Sequence, residues 1–73
     1  MKLTVITPQG ISYDGEVARV QFRSTTGLME VLQNHAPMIA ELKAGKIVTD
    51  KDEIECGEGV VKVLNNEIEA VCE

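Results

Sequence analysis

His35 is the only histidine in this chain, so acid–base or nucleophilic chemistry would have to recruit it. The available nucleophiles are Ser12, Ser24, Cys56 and Cys72, in a Ser-His-Asp or Cys-His arrangement. None sits in the glycine-flanked elbow that exposes a nucleophile. His35 therefore reads as a loop histidine that hydrogen-bonds a bend or faces a partner. Gly57-Glu58-Gly59 lacks the later glycine and following helix that a dinucleotide cradle needs, and no Gly-Lys-Ser/Thr run is present to hold phosphates. Asp50, Asp52, Glu53, Glu55 and Glu58 cluster without the spacing of an EF-hand calcium loop, which leaves them as solvated turns and strand faces. No catalytic residue, cofactor or metal is expected.

Composition narrows the class further. The 73 residues give room for one domain, spanning 1–73, with no linker. A domain this small is only marginally stable alone, so docking on a partner would add useful burial. Apolar residues make up 44% of the chain but aromatics only 3%, so the core must come from Val, Ile, Leu, Ala and Met. A net charge of −5 with no basic run disfavours DNA or RNA. No apolar run approaches the roughly 20 residues needed to span a bilayer, and Met1-Lys2 leads straight into a strand pattern rather than a signal peptide. Membrane association would then be indirect. The cysteines have no short metal-ligand spacing, and both are expected to be reduced and half-buried on non-adjacent strands.

Glycine, proline and asparagine punctuate the chain too often for a helical period to survive. Strands are expected at 2–7, 11–13 and 16–23, with a turn at Pro8-Gln9-Gly10 and a hairpin signal at Asp14-Gly15. Along 16–23, Ala18, Val20 and Phe22 would face one way, and Val17, Arg19, Gln21 and Arg23 the other. The Arg19–Arg23 side is either a wet face or a basic contact stripe. Leu28, Met29, Leu32 and Met38 flank a turn-rich rim, either as packing or as a docking surface. Pro37 fixes a bend after His35-Ala36, and Pro37 to Lys43 reads as a strand despite some helical propensity. Strands at 46–49 and 53–56 flank Asp50-Lys51-Asp52. The strands at 60–64 and 67–72 would meet at Asn65-Asn66, which sets Lys62 against Glu69 as an ion pair and Val63 against Ile68. Many short strands at this spacing predict an all-β fold, a small antiparallel sandwich or flattened barrel of about 8–10 strands.

Ser24 to Gly45, centred on His35-Ala36-Pro37, resembles the His-Ala-Pro loop of the epsilon subunit of F-type ATP synthases, called delta in mitochondria. Leu3–Pro8 with Gly15-Glu16-Val17 looks like that family's opening hairpin, and Cys56–Val63 with Asn65–Ile68 like its closing one. The resemblance implies a sandwich of two five-stranded sheets. It also implies a non-catalytic rotor component that joins the gamma subunit to the ring of membrane c subunits. Such a domain would lie peripherally on the cytoplasmic face of a bacterial inner membrane, or on the matrix or stromal face of an organelle. Thr26, Gly27, Leu28, Met29 and Glu30 would form the ring-facing loop, and His35, Ala36, Pro37 and Met38 the gamma-facing rim. The grip is expected at one end of a stiff slab. The family's acidic residue after its loop glycine is replaced here by Leu28, with Glu30 nearby. The helical pair that follows the sandwich in many members lies beyond Glu73, so its regulatory properties are not carried over. The rival reading is a lipoyl- or biotinyl-type carrier, since Thr49-Asp50-Lys51-Asp52 resembles a modified hairpin tip with Lys51 as the attachment point.

Overall fold

The computed structural model describes residues 1–73 as nine strands with no helix. They are β1 (Lys2–Thr7), β2 (Gly10–Glu16), β3 (Arg19–Ser24), β4 (Gly27–Leu32), β5 (Met38–Leu42), β6 (Gly45–Thr49), β7 (Glu53–Cys56), β8 (Gly59–Leu64) and β9 (Glu67–Cys72). The hydrogen-bonded order is β2-β1-β9-β8-β5-β3-β6-β7, with β4 added to β3. Only the Ser24–Leu42 bridge joins β5 to β3, so the path folds into two layers. One layer holds five strands and the other four, in place of the two five-stranded sheets implied by resemblance. All ladders are antiparallel except β1 with β9, which is parallel.

Period-two alternation builds the core between the layers. Leu3, Val5, Val20, Val31, Ile47, Val61, Val63, Ile68 and Ala70 point inward and are sealed from water. Phe22 is the largest wholly buried side chain and the sole aromatic among the buried residues. Each buried Val, Leu, Ile or Phe contributes about 1.5–3 kcal/mol by leaving water. That explains how a chain poor in aromatics closes a core: thin side chains fill a thin space.

The closing hairpin follows its expected register, with Lys62 opposite Glu69 and Val63 opposite Ile68. Asn65 and Asn66 take φ of 52° and 60°, the left-handed pair that a tight two-residue turn needs. Lys62 and Glu69 share a register position but form no ion pair. The ion pairs are Lys2–Asp14, Lys46–Glu53 and the Met1 amino group with Glu16.

Two local expectations fail at the start of the chain. Asp14-Gly15 lies inside β2, paired with Thr4 and Leu3, and the first reversal is at Pro8–Gln9. Residues 16–23 are two elements, because the chain breaks at Val17–Ala18. Val17 is buried and Ala18 exposed, the reverse of the simple alternation, whereas Arg19, Val20, Gln21, Phe22 and Arg23 keep the expected faces. A hydrogen bond from the Val17 amide to the Met1 carbonyl, 2.8 Å, pulls Val17 under the first strand.

The cysteines also differ from expectation. Cys56 and Cys72 sit on strands that are not sheet neighbours, as read, but the two layers stack them face to face. They form a disulfide with Cα atoms 6.1 Å apart. It clasps the layers at one end of the sandwich.

Candidate protein-docking surfaces

Following the strand directions sorts the loops into two ends. One end carries the Pro8–Gln9, Thr25–Thr26, Lys43–Ala44 and Gly57–Glu58 reversals together with the disulfide. The other carries Val17–Ala18, the 33–37 loop, Asp50–Asp52 and Asn65–Asn66. The two groups of candidate contact residues lie at opposite ends of β4. Its six residues separate them by roughly 17 Å. The residues expected to grip at one end thus lie at both ends of the sandwich.

At the first end, Thr25 and Thr26 form the tip of the β3–β4 hairpin. Ser24, nearly sealed from solvent, fixes that tip. Its hydroxyl donates to the Gly27 carbonyl at 3.0 Å and accepts from the Thr26 amide at 3.2 Å. Gly27 has φ of 124°, which an L side chain rarely adopts, so glycine is required there. Gly27, Leu28, Met29 and Glu30 are not a loop; they open the strand β4. Met29 turns inward and is half-buried, whereas Leu28 and Leu32 point out, 66% and 52% exposed. The Gln21 amide nitrogen donates to the Glu30 carboxylate at 2.7 Å. The rim residues therefore divide: Met29 and Met38 pack against the core cluster, and the leucines face outward.

At the second end, the His35 amide donates to the Leu32 carbonyl at 3.2 Å, and its ring Nδ1 lies 2.7 Å from the Ala36 carbonyl. Pro37 then releases the chain into β5, a strand as expected. The loop is latched to the closing hairpin. The Asn34 amide donates to Asn66 Oδ1 at 2.7 Å, and Asn66 Nδ2 donates to Asn34 Oδ1 at 3.2 Å. Asn34 takes φ of 65°, a conformation its short polar side chain tolerates. Beside Pro37, exposed Ile39 and Leu64 line an open cavity of about 410 Å³ with Met38, Lys62 and Val63. The sequence reading missed Ile39 and Leu64. Both are outward strand positions occupied by large aliphatics, which is a readable signal.

Lys51 does not project as a free tip. Its Nζ donates to the Glu16 carbonyl at 2.9 Å. On one side of it the Asp50 carboxylate accepts the Ala18 amide at 2.9 Å, and on the other Asp52 accepts the Tyr13 hydroxyl at 3.3 Å. That Ala18 amide holds the Asp50 carboxyl below the usual aspartate value. Burial, followed by the negative charge of Asp52, raises the Tyr13 phenol. The Asp50–Asp52 turn thus seals β6–β7 against β2. An attachment lysine needs mobility that this docked turn lacks.

Residues 1–73 match in full the family model described as "ATP synthase, Delta/Epsilon chain, beta-sandwich domain". The chain belongs to this family. Among its relatives is the ATP synthase epsilon chain of Clostridium novyi, 34% identical across 99% of this chain and 59% of the relative. The epsilon chain of Chlorobium limicola is 40% identical across 71% of this chain and 62% of its own length. That of Synechocystis is 35% identical across 97% and 55%. The chain thus spans little more than half the length of these relatives. Among solved structures, a chain from the Euglena gracilis mitochondrial ATP synthase superposes with a TM-score of 0.85 at 19% identity, covering 96% of this chain and 48% of that one. A chain from the central stalk and c-ring of the Tetrahymena thermophila enzyme gives 0.80 at 17%, covering 99% and 62%. At such identities these two establish the epsilon-type sandwich fold alone. Family membership removes the carrier reading of Lys51.

Proposed function

We propose that this epsilon-type domain is a non-catalytic central-stalk component of an F-type ATP synthase, linking the gamma subunit to the c-ring and supporting the coupling of proton transport to ATP synthesis. The match of the family model across residues 1–73 carries this reading. Its place would be peripheral to a membrane, on the side where the catalytic head lies. The two ends of β4 supply a geometry for the link. The ring-facing contact is Thr26, Gly27, Leu28 and Glu30, with Met29 supporting them from inside. The gamma-facing contact is His35, Ala36, Pro37 and Met38, enlarged by Ile39 and Leu64. Both ends present exposed aliphatic side chains beside backbone held by short hydrogen bonds, which suits protein docking.

The test is capture of gamma subunit and c-ring from a defined preparation. Replacing Leu28-Met29-Glu30 wholesale would remove half-buried Met29, so outward-facing point changes are sharper. Leu28→Asp is expected to weaken capture of the c-ring roughly tenfold while leaving capture of gamma intact, because hot-spot truncations cost on the order of 1–2 kcal/mol. Ile39→Asp is expected to do the converse. Undiminished binding by both variants would rule out these surfaces.

A further inference from the structure

The strands with one neighbour only are β2, β4 and β7, and two of them are guarded. The register of β2 is interrupted by an irregularity between Val5 and Ile6, and its end is capped by Lys51 on the Glu16 carbonyl. β7 has only four residues, with Glu53 and Glu55 both exposed. Short length, bulges and charge are the usual protections of sheet edges. β4 has only the single charge of Glu30. It runs six residues in unbroken register with β3, without proline or lysine, and two of its three outward side chains are exposed leucines.

The direction of its free backbone groups follows from two hydrogen bonds. Lys43 N donates to the Arg23 carbonyl at 2.9 Å, so Arg23 turns its backbone away from β4. Arg23 pairs with Leu28, and in an antiparallel ladder both members of such a pair turn away from each other. Leu28 therefore aims its N–H and C=O at the open side, and Glu30 and Leu32 follow at period two. The Leu32 carbonyl accepts His35 N, as an outward-directed group must. The amides of Leu28, Glu30 and Leu32 and the carbonyls of Leu28 and Glu30 remain, spaced for an added strand.

We infer that the free edge of β4 takes up an extended segment of a partner protein by main-chain pairing, a segment whose residues opposite Leu28, Glu30 and Leu32 run apolar, basic, apolar. Backbone pairing supplies the affinity of such strand addition, and alternate side chains supply its selectivity. Charge decides against a second copy of this chain as the occupant. Twofold antiparallel pairing of β4 with itself sets Leu28 against Leu32 of the other copy but puts Glu30 against Glu30, and like charges directly opposite are destabilising. A basic residue at that position reverses the sign. Inward-facing residues of the added strand would cover half-buried Met29. The inference goes beyond the proposed function, because it holds whichever subunit supplies the segment.

The test uses the 15N-labelled 73-residue chain and the peptide acetyl-Thr-Val-Thr-Lys-Thr-Val-Thr-amide. Amide exchange at Leu28, Glu30 and Leu32 should slow roughly tenfold on binding, while Met29 and Val31, already paired with β3, stay unchanged. N-methylation of the peptide amides that face β4 should abolish the effect, and methylation of the alternate amides should not. Glu30→Lys should transfer the preference to a peptide with glutamate in place of lysine. Absence of protection at millimolar peptide overturns the inference, as does binding indifferent to N-methylation. Protection that grows with protein concentration in the absence of peptide overturns it in favour of self-pairing.

Discussion

Asp50 shows how much a single exposed carboxylate organises. It accepts the Ala18 amide just past the break between β2 and β3, and this bond lowers its pKa. A carboxyl whose folded pKa is depressed stabilises the fold above its unfolded value, here the ordinary 3.8, and that contribution disappears as pH falls through the folded value. Asp50→Asn keeps an acceptor oxygen but has no proton to gain. Its unfolding midpoint in urea should therefore fall less steeply below pH 4 than that of the parent. Equal acid slopes would refute the assignment. The acidic cluster was readable as solvated turn residues; the particular amide each carboxylate meets was not, because Asp50 and Ala18 are 32 residues apart in sequence. Asn65 and Asn66 mark the same boundary. Their turn is a local φ preference and visible in sequence, whereas the Asn34–Asn66 latch depends on two loops arriving at one end of the sandwich. Asn66→Gly retains the positive φ and deletes the latch. It should cost about 1 kcal/mol, and Asn34→Gly in the same background should add much less than it does alone, measured by a double-mutant cycle.

Between elements, the clasp of β7 to β9 is the largest departure from expectation. Cys56 and Cys72 each end a strand on an inward position, a pattern visible in sequence, but which layers face each other is a property of the whole topology. Closing a loop with a sequence separation of 16 is worth about 3 kcal/mol in the chain-entropy account. Cys56→Ser with Cys72→Ser should lower stability by that order under oxidising conditions and change little once the parent is reduced. A small difference between oxidised parent and variant would count against the clasp. Gly59 explains its own neighbourhood: a Cβ there would collide with the Val71 carbonyl of the adjoining strand, backbone against backbone. Gly59→Ala should destabilise by about 3 kcal/mol and loosen the β8–β9 ladder, seen as faster amide exchange at Val71 and Ala70. The glycines at 57 and 59 thus serve close packing and not phosphate binding. The strands themselves were legible wherever turn chemistry was local, as at Asn65-Asn66. They were misread at Val17–Ala18, where a contact with Met1 overrides the alternation.

For the molecule as a whole, a domain of 73 residues has a narrow margin of stability, and the two ends proposed for docking stand about a strand's length apart. Docking should therefore stabilise it measurably. With gamma subunit present at a hundred times its dissociation constant, unfolding should cost about 2.7 kcal/mol more, and thermal melts should report the shift. An unmoved transition at that concentration would contradict the proposed link. The parallel pairing of β1 with β9 has a different consequence, one that concerns synthesis. Hairpins β1–β2, β3–β4, β6–β7 and β8–β9 can each form as soon as they leave the ribosome. The first strand cannot gain its second neighbour until residues 67–72 have been translated. Until then one flank of β1 is bare: the β4-β3-β6-β7 layer can assemble from residues already translated, whereas the layer holding β1 stays open, a target for aggregation or chaperones, until β9 arrives.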